Sequence, residues 1–300
     1  MIRLNGIVKR FGDFTALNGL TCDIPNGAIW GLVGINGAGK STLLRVMTGI
    51  YQADSGSVEY DGAPVFDNPE VKGTVSFVPD ELYLPPNSNI EDMIKRYRLL
   101  KRNFNEQKLR ELVNVFELNT KQRFNTFSKG MRRQAATALA LAEENPYIFF
   151  DETFDGLDPF KRGFIKRLLK EEAETRGTTV IITSHSLREL EDVCDNLAIL
   201  DRGNFVLDTD VSETKTSAVK VQIAYADDYN KERLGDLDIA SFVKRGAVAV
   251  VVIRGEEGDV LAKLRETSPL LLEVLPMTLE ETFSYNLDER KLVREEESGV

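Results

Sequence analysis

Histidine is almost missing from this chain: its 300 residues hold one, alongside two cysteines and one tryptophan. So few soft ligands argue against a zinc cluster, and Cys22 and Cys194 stand too far apart in sequence to read as metal ligands or as a disulfide framework. Both are expected as buried packing residues. Long apolar runs are lacking too, none reaching the roughly 18 residues that suggest a membrane-spanning helix. No basic-then-apolar amino terminus suggests export. Positive charge is in short supply: 38 Lys and Arg face 48 Asp and Glu, a net charge of −10. That balance disfavours a nucleic-acid partner, since phosphate backbones are held chiefly by Lys and Arg. A cytoplasmic chain is expected.

What is present begins with Gly34-Ile35-Asn36-Gly37-Ala38-Gly39-Lys40-Ser41-Thr42. The stretch fits the phosphate-binding spacing G-x-x-x-x-G-K-S, and its surroundings are those the motif requires. Residues 28–33 are apolar enough for a buried strand, and residues 42–47 carry helical spacing up to a stop at Gly49. Such a loop lets the backbone from Asn36 through Gly37, Ala38 and Gly39 to Thr42 curl around phosphate oxygens. It places Lys40 near the β and γ phosphates and offers the Ser41 hydroxyl to magnesium. A nucleoside triphosphate and Mg2+ are therefore the expected ligands. A second signal is the apolar strand Tyr147-Ile148-Phe149-Phe150, which runs straight into Asp151-Glu152. Asp151 suits a magnesium ligand and Glu152 a group that polarises the attacking water. The single histidine, His185, follows the apolar strand at residues 179–183, and from a strand's carboxyl end it can reach a γ-phosphate. The helix after it is expected to start on a capping box, Ser186-Leu187-Arg188-Glu189.

With Phe127-Ser128-Lys129-Gly130-Met131 before a helix and Gly156-Leu157-Asp158-Pro159 after the acidic pair, the chain resembles the ATP-binding-cassette ATPases over roughly residues 1 to 208. It looks most like the ATPase subunits of bacterial exporters whose membrane subunit is a separate chain. The resemblance implies two cassettes facing head to tail, as homodimer or heterodimer, with ATP between the phosphate loop of one and Ser128, Lys129 and Gly130 of the other. It further implies Asp158 on the loop crossing the seam, Phe11 stacked on adenine, and a peripheral place on the inner face of the cell membrane through a permease partner. Four positions depart from the family pattern. Asp80, in Phe77-Val78-Pro79-Asp80-Glu81, stands where a glutamine usually ligates magnesium and contacts the membrane subunit; Lys129 replaces a glycine; and Thr153 and Ile35 replace prolines. Glu152, His185 and Lys40 remain the expected catalytic groups, and Ser41, Asp80 and Asp151 the expected metal ligands. The rival reading is a non-transport or regulatory ATPase acting on a soluble macromolecular partner. It is disfavoured by a single phosphate loop and the lack of a long heptad run.

Punctuation sets the organisation. The resemblance implies an α/β fold, a P-loop NTPase of ABC type with a mixed sheet core, with a nucleotide-binding domain at 1–210 and a helical subdomain at about 87–145 that Pro85-Pro86-Asn87 opens. Within it Leu109, Leu112, Val113 and Phe116 fall on one helical face. The basic cluster Lys95, Arg96, Arg98, Lys101 and Arg102 reads as a solvated face. Beyond Asp208 the alternation of Val219, Val221, Ile223 and Tyr225, strands around Gly246, a helix at 258–267 and a strand at 270–275 suggest a small α+β domain at 211–287 of βαββαβ type. A charged, disordered tail is expected from Asp288.

Overall fold

The computed structural model describes residues 1–211 and 218–282. The chain divides into two compact units, Met1–Asp208 and Thr209–Val300.

The first unit opens with β1 (Ile2–Phe11), β2 (Phe14–Ile24), β3 (Ile29–Val33), α1 (Lys40–Met47), β4 (Ser55–Tyr60), β5 (Ala63–Pro64), a one-turn α2 (Pro69–Lys72) and β6 (Val75–Val78). Helices α3 (Ile90–Leu100), α4 (Glu106–Val115) and α5 (Lys129–Ala142) follow, then β7 (Tyr147–Phe150), α6 (Pro159–Arg176), β8 (Thr179–Ser184), a one-turn α7 (Leu187–Leu190), β9 (Asn196–Asp201) and β10 (Asn204–Asp210). Two sheets result: the antiparallel β2-β1-β4-β5, and β10-β9-β3-β8-β7-β6. In the second sheet β6, β7, β8, β3 and β9 run parallel. Strands β3, β7 and β8 are buried along their whole length, which is why they read as unbroken apolar runs rather than alternating ones. Their carboxyl ends are therefore neighbours, and three loops emerge side by side from one edge.

The helical segment is fixed by caps and one apolar face. Asn89 and Asp92 form a capping box on α3, and Asn105 and Ser128 cap α4 and α5. Leu109, Leu112, Val113 and Phe116 are all buried, and at about 1.5–3 kcal/mol for each such side chain this face, not helix propensity, holds α4 in place. The basic cluster is largely neutralised locally, Lys95 by Asp92, Arg98 by Glu106 and Lys101 by Glu143.

The second unit holds β11 (Ala218–Ala224), β12 (Ile239–Arg245), β13 (Val248–Arg254), α8 (Glu257–Glu266) and β14 (Leu271–Leu275), with sheet order β12-β13-β11-β14 and antiparallel pairing throughout. Val219, Val221, Ile223 and Tyr225 line its core with Val260 and Leu264 of α8. One feature differs from the expected βαββαβ order: the first connection is only a 3-10 turn, Lys231–Leu234. Gly235 directly after it adopts φ +64°, which ends the turn before a helix can grow. The charged tail lies outside the described residues.

Candidate nucleotide site

Three strand ends supply the site. From β3 the chain enters the loop at residues 34–39 and turns into α1. Gly39 caps that helix at φ +111°, and a Cβ there would stand 2.7 Å from the Ala16 carbonyl oxygen; one on Gly34 would stand 2.5 Å from that of Leu200. Neither position accepts a side chain, so the loop is held tight against β2 and β9. The first bond of the α1 ladder runs from Leu43 N to Gly39 O at 2.8 Å. The amides of Lys40, Ser41 and Thr42 precede it, which makes this helix start a seat for an anion. Asn36 and Gly37 are exposed at the loop's tip and Ala38 is buried beneath it.

Lys40 is buried, and its Nζ donates to Gly34 O at 2.6 Å and Ile35 O at 3.3 Å and pairs with Glu152 Oε1 at 3.1 Å. Glu152 Oε2 lies 3.0 Å from His185 Nδ1. The three residues expected to be catalytic, contributed by three different strand ends, thus meet on one carboxylate. Glu152 itself sits at φ +50°, an uncommon conformation for a side-chain-bearing residue. It is held there by a group the sequence did not signal: Thr183, fully buried at the end of β8, accepts from Glu152 N at 3.0 Å and donates to Asp151 Oδ1 at 2.7 Å. The register of β7 on β8, Phe150 opposite Ile182, sets Thr183 beside Asp151.

Other expected residues lie around this centre. Ser128 accepts from Met131 N at 3.2 Å as the cap of α5, leaving Ser128 and Lys129 exposed. Lys129 Nζ pairs with Asp155 Oδ2 at 2.5 Å in the same chain, and that ammonium holds the Asp155 carboxyl below its usual range. Gly130 packs where a Cβ would come 3.1 Å from Gly156 O, so the two loops abut. Asp158 caps α6, and the Lys161 amide it accepts from lowers its pKa. Phe11 stands half-exposed with Tyr51 edge-on at 5.8 Å and Lys9 Nζ over its ring at 5.5 Å. Asp80 Oδ1 accepts from Arg133 Nη2 at 2.9 Å, an ion pair that sequence reasoning missed. Thr153, in the proline position, is fully buried with no partner for its hydroxyl. The expected capping box after His185 does not form: Ser186 makes no side-chain cap bond. Ser184 takes over locally, accepting from Ser186 N and donating to Glu189, whose carboxylate also pairs with Arg162. Both cysteines are buried thiols, their pKa values raised by burial.

Comparison with known proteins bears on this arrangement. The ABC transporter family model matches residues 17–155. The ABC transporter ATP-binding protein YtrB of Bacillus subtilis is 29% identical over 94% of this chain and 97% of its own. YhaQ of the same organism, an uncharacterized ABC transporter ATP-binding protein, is 30% identical over 76% of this chain and 77% of its own. This chain belongs to the ABC transporter ATP-binding family. Relatives named for both directions of transport match the cassette: a Nod factor export ATP-binding protein of Rhizobium at 28% identity over 94% of this chain and 95% of its own, and a sulfate/thiosulfate import protein of Bacillus cereus at 30% over 67% and 59%. A solved ATP-binding subunit of an ABC transporter shares the fold, with TM-score 0.66 and 24% identity over 72% of this chain and 92% of that one.

Cassettes of this family bind ATP, typically with Mg2+. The side chains here fit such a ligand. Asp151 is fully buried and its Oδ2 has no hydrogen-bond partner, an arrangement that suits a cation, because a buried carboxylate oxygen left alone is costly. Among the described residues no three of His, Cys, Asp and Glu gather as a metal cage. A hard ion at Asp151 would be held by one or two protein groups, with phosphate and water completing its shell.

Proposed function

We propose that this cassette hydrolyses ATP as the motor subunit of an exporter, driving a separate permease by ATP-dependent closure of two cassettes. The observation that carries this reading is the meeting of Lys40 and His185 on the two oxygens of Glu152, beside Asp151. In it Glu152 accepts a proton from the attacking water, Lys40 and His185 neutralise charge at the γ-phosphate, and Thr183 holds the carboxylates in register. Ser41 and Asp151 would hold magnesium, which supplies charge neutralisation at the phosphates. Ser128, Lys129 and Gly130 would close over the nucleotide of a second copy, with Asp158 at the seam and Phe11 against the base.

Export rather than import is favoured by coverage: the relative named for export matches nearly the whole chain, second unit included, while the one named for import matches about two-thirds of it. No described helix is long and apolar enough to cross a membrane, so the permease would place this subunit at the inner membrane face. An apolar groove of about 140 Å³ lies between residues 77–84 and helices α3 and α5, with Tyr83 at its rim 86% exposed. A cytoplasmic helix of the permease would seat there. The test is to reconstitute the chain with the membrane protein that co-purifies with it. Partner-dependent stimulation of ATP turnover, together with ATP-driven movement of substrate away from the cassette side, is expected; turnover indifferent to any membrane partner would contradict the transport role.

A further inference from the structure

Asp80 departs from the family pattern, and the structure shows what it meets instead. Arg133, on α5, is 1% exposed. Its Nη1 donates to Pro79 O at 3.0 Å and to Asp151 O at 3.4 Å, and its Nη2 to Asp80 Oδ1 at 2.9 Å. One buried guanidinium therefore ties together three places: the end of β6, the end of β7 one residue before Glu152, and the segment at residues 79–84 that rims the apolar groove. Asp80 is the one carboxylate in ion-pair contact with it among the described residues, and that carboxylate is half-exposed. A buried cation needs its counter-ion, since removing one partner of such a pair leaves an uncompensated charge, whereas removing both costs far less. Asp80 Oδ1 already accepts from Arg133 Nη2 at 2.9 Å, so the geometry favours the guanidinium as its partner over a metal held at Asp151.

We propose that Asp80 is the releasable counter-ion of Arg133, and that Arg133 is a positioning residue for Asp151 and Glu152. A partner seated on residues 79–84 pulls on Asp80, and the guanidinium transmits that pull to the Asp151 carbonyl. Glutamine in this place could offer Arg133 an amide oxygen but no charge, so the contact is an ionic device particular to chains with an acid here. The transmission step rests on the permease reading above; the ion pair itself does not.

The experiment is a double-mutant cycle with Asp80→Asn, Arg133→Gln and the pair combined, with Arg133→Lys as a charge-keeping variant should Arg133→Gln fold poorly. Three quantities are read: melting temperature, Mg2+ dependence of ATP binding by calorimetry, and turnover with and without the membrane partner. Asp80→Asn should lower the melting temperature and turnover, leave the half-saturating Mg2+ within about twofold, and couple to Arg133→Gln by at least about threefold in turnover. Arg133→Lys should retain part of the turnover that Arg133→Gln loses. A rise of about tenfold or more in half-saturating Mg2+ for Asp80→Asn would make it a metal ligand and overturn the proposal; so would independent, multiplicative effects of the two substitutions. Coupling in the isolated subunit without loss of partner stimulation would overturn the transmission step. If the wild type responded to no partner, the transport reading would fail, while the melting and metal-binding arms would still decide the ion pair.

Discussion

Replacing Thr183 by valine removes one hydroxyl from a fully buried position while nearly keeping its shape. That hydroxyl serves twice, donating to Asp151 Oδ1 at 2.7 Å and accepting from Glu152 N at 3.0 Å. Since Asp151 Oδ2 already lacks a partner, the substitution leaves this buried carboxylate without any side-chain hydrogen bond and strands the Glu152 amide. A hydrogen bond to a charged group contributes about 1.5–3 kcal/mol and a stranded buried amide costs about 1–3 kcal/mol, so a loss of about 2.5–6 kcal/mol is expected. For a unit of this size, at about 2–4 °C per kcal/mol, the melting temperature should fall by roughly 5–24 °C. Activity should fall too, because Glu152 is released from its φ of +50° and no longer faces Lys40 and His185. Scanning calorimetry and steady-state ATP turnover are the assays, with Thr183→Ser as the control that keeps the hydroxyl. A valine variant melting within about 2 °C of wild type would refute the reasoning.

Gly39→Ala should abolish ATP binding by calorimetry, because it forces a side chain into φ +111° and against the Ala16 carbonyl oxygen; unchanged affinity would show that the loop does not need this turn. Lys40→Ala should weaken MgATP binding while leaving the fold intact by circular dichroism, since its ammonium bonds loop carbonyls and Glu152 and no core group; unaltered affinity would remove Lys40 from the site. Residues 1–210 expressed alone should fold and bind MgATP, as every nucleotide motif and the whole of β10 lie within them. A folded fragment that binds no ATP would refute the claim that this unit holds the complete site.

The parts of the site that sequence made legible are those where chemistry and local pattern coincide. The phosphate loop is a spacing of glycines with a lysine, and β3, β7 and β8 are apolar runs because the sheet covers both their faces. Their order of pairing, which brings Glu152 to Lys40 and His185, is a long-range fact that no local pattern carries. Nothing in the local pattern of Met131-Arg132-Arg133-Gln134 distinguishes its two arginines; only the packing of α5 turns Arg133 inward while Arg132 stays exposed. Thr183 was concealed within a strand run, and its role depends on strand register. At Ser186 the local signal misled, because Ser184, two residues earlier, competes for Glu189. In the second unit the alternation of Val219, Val221 and Ile223 was sufficient, while the first connection shrank to a 3-10 turn against Gly235.

The central claim is that Glu152 is the base that activates water between two closed cassettes. Glu152→Gln keeps size and hydrogen bonding and removes the charge. Light scattering on this variant with MgATP, run beside a turnover assay, tests the claim most directly. The predicted result is a doubling of mass on adding ATP, with turnover lowered on the order of a hundredfold or more. Turnover close to wild type, with no rise in mass, would contradict it.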